Sequence, residues 1–160
     1  MADLFISHIQ EEAELAEALM RFLRESSLEA FLSSDHWQVR GGERWFDRIA
    51  EELNVAKVVI LLLSQQSVTR PWINLEAGWG WATKKAIMPV CFGKLTKGAM
   101  PRPYSDLQGL DLRTDYYDLV KDCYYHLNNK GLFASPMPFK GDEPQVMALL
   151  KALEHIKATL

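Results

Sequence analysis

Apolar and polar positions alternate along this chain in blocks that predict strands and helices in turn. Asp3-Leu-Phe-Ile-Ser7 is a short apolar run that predicts a buried strand. The acidic stretch Gln10 to Glu14 then opens a helix whose apolar face is Leu15, Leu19, Phe22 and Leu23. These spacings are helical, and acids in a first turn complement the helix dipole. Leu28 to Ser33 predicts a second strand, followed by an irregular segment, Ser34 to Gly42. Trp45, Phe46, Ile49, Ala50 and Leu53 then form a single apolar stripe, which predicts a second helix.

The run Lys57 to Ser64 shows no alternation, as expected of a central parallel strand buried on both faces. Pro71 stands where a first helical turn accepts proline, and Trp72 to Lys85 predicts a third helix. Ala86 to Phe92 predicts a fourth strand, and Leu107 to Leu112 a weaker fifth. Helical spacing returns at Tyr116, Leu119, Val120 and Cys123. Residues 131–141, with Pro136 and Pro138, predict a connector before a last helix carrying Val146, Leu149, Leu150, Leu153 and Ile156. That helix either packs on the domain or forms a stem toward a second domain or an oligomer contact.

Serial βα units imply a parallel sheet with right-handed crossovers and helices on both faces. Five strands are most simply ordered 2-1-3-4-5. Ligands in such sheets bind beyond the carboxyl ends at the switch point, here near Ser7, His8 and Ser64.

Composition sharpens this picture. A length of 160 residues with 48% apolar, 24% charged and 11% aromatic content suits one folded domain. The 18 basic and 21 acidic side chains give a formal charge of -3, which lacks the basic face of a nucleic-acid binder. The apolar run Val58–Leu63 is far short of the ~20 residues that span a bilayer, so no membrane partner is expected. The start Met1-Ala2-Asp3-Leu4 has no basic n-region, and the expected compartment is the cytoplasm. Cys91 and Cys123 are expected to be buried packing residues, and His8, His36, His126 and His155 have no metal-ligand spacing. No metal and no bound cofactor are expected.

Trp72 and Glu76 lie four residues apart, on one face of the third helix just after the central strand. A buried carboxylate needs a partner, so Glu76 is either a cleft residue or a solvated one. Gly78 and Gly80 sit between Trp79 and Trp81 in a helix, where each glycine costs about 1 kcal/mol relative to alanine. Close approach by another backbone or a ligand explains them, and so does packing of large indoles beside small residues.

With these residues in place, the chain resembles a Toll/interleukin receptor (TIR) domain of the bacterial NAD-cleaving type. Phe5-Ile-Ser-His8 resembles the first-strand box, and Ser34 to Gly42 followed by Trp45 resembles the BB loop. Val58 to Ser64 resembles the third-strand box, and Trp72-Ile-Asn-Leu-Glu76 matches the W-x-x-x-E segment that carries the catalytic glutamate in NAD-cleaving members. The resemblance covers roughly residues 3 to 112, leaving 113–160 as a helical extension of a single domain.

It implies a flavodoxin-like three-layer α/β sandwich and cleavage of NAD+, as substrate, at the nicotinamide glycosidic bond. Glu76 is the implied catalytic residue. Trp72, Ser7, His8, Ser64, Trp37, Arg40 and Trp45 are the implied binding residues, with Arg40 suited to a phosphate. Glu11 or Glu12 fits the acid usual shortly after the Ser-His box. The BB-loop proline of animal adaptors is replaced by Val39-Arg40-Gly41, which counts against an adaptor role.

The resemblance further implies self-association through the BB loop, in a head-to-tail contact able to grow into a filament. It also implies a fused or separate sensor that activates an antiphage effector. The alternatives are an interaction module without turnover and a virulence effector. A phospho-receiver domain shares the fold class but requires acids where Ser7, His8 and Ser64 stand.

Overall fold

The computed structural model describes residues 2–34, 42–127 and 143–159, with side chains except at 42–45 and 157–159. Its strands are β1 (Leu4–His8), β2 (Ala30–Ser34), β3 (Val58–Leu63), β4 (Ala86–Cys91) and β5 (Leu110–Asp111). Its helices are α1 (Ala13–Glu25), α2 (Gly42–Val55), α3 (Pro71–Ala82), α4 (Tyr116–His126) and α5 (Pro144–Thr159). All neighbouring strands are parallel, in the order β2-β1-β3-β4-β5 expected of the flavodoxin-like fold.

Strand alternation divides the core into two layers. Leu4, Ile6, Ile60, Leu62 and Val90 pack with Leu19 and Phe22 of α1, Leu119 and Cys123 of α4, and Val146 and Leu149 of α5. On the other face Phe5, Val59, Leu61, Leu63 and Cys91 pack with Ile49 and Leu53 of α2 and Ile73 and Ala77 of α3. The carboxyl-terminal helix is therefore packed on the domain, where it lies against α1. His155 and Glu14, 2.8 Å apart, tie the two helices at their surface.

Three boundaries differ from the expected ones for local reasons. α3 stops at Ala82 because Lys84 adopts a left-handed φ of 58° and Lys85 N–H returns to the Gly80 carbonyl at 2.9 Å. This backbone turn satisfies the last helical carbonyls. β5 shrinks to two residues, with the Asp111 N–H donating to the Asp115 carboxylate at 2.8 Å. β2 begins only at Ala30, after Ser27 closes α1 in a left-handed turn and Leu28 N–H bonds back to Leu23.

Both cysteines are buried free thiols. Burial, aided by the Asp111 carboxylate, pushes the Cys91 thiol up to about 11. Burial and Asp122 push Cys123 up to about 12. Among the described residues, no helix is long and apolar enough to cross a membrane.

Candidate functional site

The site is assembled where α3 passes the carboxyl ends of β1 and β2. Arg70 is extended and Pro71 occupies the first helical turn, so α3 starts directly before Trp72. One turn later, Glu76 turns toward the sheet and is only 2% exposed. Ser33, near the end of β2, donates its hydroxyl to Glu76 Oε1 at 2.9 Å. The Trp72 indole N–H points to the same Ser33 oxygen at 3.4 Å. Indole, hydroxyl and carboxylate thus form a directed chain in which Ser33 orients the acid.

Ser7 pairs in register with Ser33 and with Leu61. Alternation places Ser7 and Ser33 on the layer of Phe5 and Phe31, the same layer as α3. Ser7 is fully buried, and its hydroxyl has no hydrogen-bond partner among the described residues. A buried hydroxyl without a partner is costly in a finished core and natural in a binding site.

His8 and Ser64 lie elsewhere. Alternation turns His8 toward the layer of Leu4 and Ile6, where it is 3% exposed and in register with Ser34. The Ser64 hydroxyl donates to the buried carboxylate of Glu12 at 2.6 Å, and Ser67 braces the same turn by bonding the Ser64 N–H at 2.7 Å. At the surface Arg70 pairs with Glu11 at 2.6 Å. The crevice between β1 and β3 is therefore spanned by a polar clasp linking the segments that leave the two strands. Glu12 is the internal acid of this clasp and Glu11 the external one.

Of the residues the sequence singles out, the fold brings Glu76, Trp72 and Ser7 to one side of the sheet, with His8 and Ser64 on the other. Trp37 and Arg40 lie outside the described residues, as does most of the loop Ser34–Gly42, and Trp45 is described only as backbone of α2. Ser33 and Ser67 support the Glu76 carboxylate and the Ser64 turn by hydrogen bonds, and the hydrophobic pattern of the chain marks neither. The available signal for Ser33 is a pair of hydroxyl residues, Ser33-Ser34, ending a strand predicted to lie beside the first. The two glycines of α3 also separate. A Cβ at Gly80 would meet Ile87 Cδ1 at 2.6 Å and Val59 Cγ2 at 3.2 Å, so packing of helix on sheet explains that glycine.

The sequence profile of the TIR domain matches residues 4–123. The chain belongs to the TIR domain family. The match reaches Cys123 and so takes in most of α4, beyond the stretch from about 3 to 112 that carries the sequence resemblance. The crystal structure of the TIR domain of the Toll-related receptor TRR-2 from Hydra magnipapillata is similar, with a TM-score of 0.61 and 14% identity. That likeness covers 77% of this chain and 98% of the Hydra domain, and it supports the fold of this TIR domain. The TIR domains of the activated Roq1 resistosome, which recognises the pathogen effector XopQ, give a TM-score of 0.47 at 12% identity. They are covered over 84% of their length and 96% of this one. No curated protein matches this TIR domain in sequence.

Proposed function

We propose that this TIR domain is an NAD+ nucleosidase of the bacterial type, with Glu76 as its catalytic residue. The observation that carries the reading is the Glu76 carboxylate: it is 2% exposed, oriented by Ser33, and stands one helical turn from the Trp72 indole. Carboxylates are buried at a sheet edge at considerable cost, and sites of chemistry are where that cost recurs.

The reaction suits a single carboxylate. The bond between ribose C1′ and the nicotinamide nitrogen breaks, and its electron pair neutralises the pyridinium. Nicotinamide leaves as a neutral ring, so no general acid is needed, unlike an ordinary glycoside whose leaving oxygen must be protonated. Glu76 stabilises the positive charge developing on the ribose, a preorganised electrostatic contribution. Trp72 walls a ring of the substrate. The Ser7 hydroxyl offers a hydrogen bond to a ribose hydroxyl. Water then adds to C1′ and releases a proton, giving ADP-ribose. Attack by a nitrogen of the adenine ring in place of water gives a cyclic isomer.

Activation by self-association through the loop Ser34–Gly42, as one copy meets the next head to tail, follows from the same reading. So does control by a fused or separate sensor in bacterial antiphage immunity. The test is NAD+ consumption with nicotinamide release by the domain forced to cluster, beside Glu76→Ala. Activity in the wild type that is lost in the variant supports the reading. Equal rates in both, or none in either, reject it in favour of an interaction module.

A further inference from the structure

Packing accounts for only one of the two glycines of α3. At Gly78 an added Cβ would meet nothing within 4 Å. Glycine is disfavoured against alanine inside a helix, and no described neighbour requires it at this position. Over Gly78 lies a groove of about 350 Å³ between α3 and the segment Pro101 to Leu107, within the size range of small-molecule sites.

The walls of this groove carry specific chemistry. Trp81 follows Gly78 by three residues, lines the groove and is 47% exposed. Tyr104 is buried, and its hydroxyl donates to Asn74 Oδ1. Burial raises the pKa of the phenol and so keeps it a donor. The Asn74 carbonyl is thereby engaged, which leaves the two amide hydrogens of its Nδ2 for a ligand. Arg102, held between Pro101 and Pro103, lines the same groove. No carboxylate of the described residues pairs with it.

The geometry points to a binding site for a flat nitrogen heterocycle carrying a phosphate. Its ring lies over the bare helix backbone at Gly78 beside the Trp81 indole. An acceptor on the ring edge meets the Asn74 amide, and the phosphate meets the Arg102 guanidinium. This site is distinct from the one around Glu76. Glu76 faces Ser33 of β2, whereas the groove opens on the other flank of α3, toward Ile87 of β4.

The test is calorimetric titration of the full chain with AMP, adenosine and inorganic phosphate as separate probes. AMP is expected to bind saturably and at least tenfold more tightly than either fragment. Gly78→Leu, which fills open space, is expected to weaken AMP at least tenfold while the helical circular dichroism is kept. Arg102→Ala, on an exposed residue, is expected to bring AMP to the level of adenosine, and Glu76→Gln to leave AMP binding within twofold. The proposal is overturned if AMP does not saturate at millimolar concentration, or if Arg102→Ala binds AMP like the wild type. It is equally overturned if Glu76→Gln abolishes binding, which moves the ligand to the other site. A changed sedimentation coefficient in Gly78→Leu with AMP binding intact makes the groove a protein contact and also rejects it.

Discussion

Ser33 donates a 2.9 Å hydrogen bond to Glu76 across the gap between β2 and α3, joining residues 43 apart in sequence. Strand and helix therefore aim the carboxylate together. Removing the donor takes one hydrogen bond from a buried carboxylate, a loss of about 1–3 kcal/mol. Ser33→Ala is expected to lower kcat for nicotinamide release about tenfold, which corresponds to about 1.4 kcal/mol. Ser33→Thr restores the hydroxyl and should recover most of the rate. A kcat for Ser33→Ala within twofold of the wild type contradicts the orienting role.

Ser64 is predicted to act on stability and not on substrate. Its hydroxyl serves the buried Glu12 carboxylate at 2.6 Å. Ser64→Ala should cost about 1–3 kcal/mol. For a chain of this size, Tm should fall by roughly 2–4 °C per kcal/mol. Steady-state kinetics should show an unchanged KM for NAD+; a several-fold rise would instead make Ser64 a substrate contact.

The two glycines of α3 should respond in opposite directions. Gly78→Ala meets open space and gains helix propensity of about 1 kcal/mol, so Tm should rise. Gly80→Ala gains the same propensity but sets a methyl against the end of Ile87 and 3.2 Å from the stiff β-branched Val59, and overpacking of about 1–3 kcal/mol is expected to outweigh that gain. Chemical denaturation of both variants measures the contrast. A Gly80→Ala protein as stable as Gly78→Ala would show that α3 can lift from the sheet without cost.

The thiols predict a loss of stability in alkali. Unfolded cysteines ionise near 9, whereas Cys91 and Cys123 are held up to about 11 and about 12. The folded chain thus keeps protons that the unfolded chain releases, and unfolding becomes easier as pH rises. The stabilisation is fully present below pH 9 and is lost as pH rises through 11 to 12. Replacing both by alanine should flatten this part of the pH profile. In the native protein at pH 8, neither thiol should react rapidly with a disulfide reagent.

The sheet was legible because its chemistry is local. An unbroken run such as Val58–Leu63 has few homes other than a strand covered on both faces, and the βα alternation leaves little freedom in strand order. Trp72 and Glu76 were legible as a pair because helical spacing alone puts them on one face. Ser33 was not, since its value depends on which helix crosses the end of β2. Ser64 reads in sequence as a residue at a ligand-binding edge, yet a buried acid 52 positions away uses its hydroxyl. Gly78 and Gly80 look equivalent in the sequence, and only their distances from β3 and β4 distinguish them.

Catalysis by the charge on Glu76 is tested by Glu76→Gln. Glutamine keeps the shape of the side chain and an oxygen able to accept the Ser33 hydrogen bond, but it removes the negative charge that would face the developing cation. In the clustered domain, nicotinamide released and NAD+ consumed should match mole for mole in the wild type and fall at least 100-fold in Glu76→Gln, as expected when a preorganised electrostatic group is removed. Nicotinamide release at the wild-type rate by the variant would rule out Glu76 as the catalytic residue, and a clustered, folded wild-type domain that leaves NAD+ intact would rule out the activity.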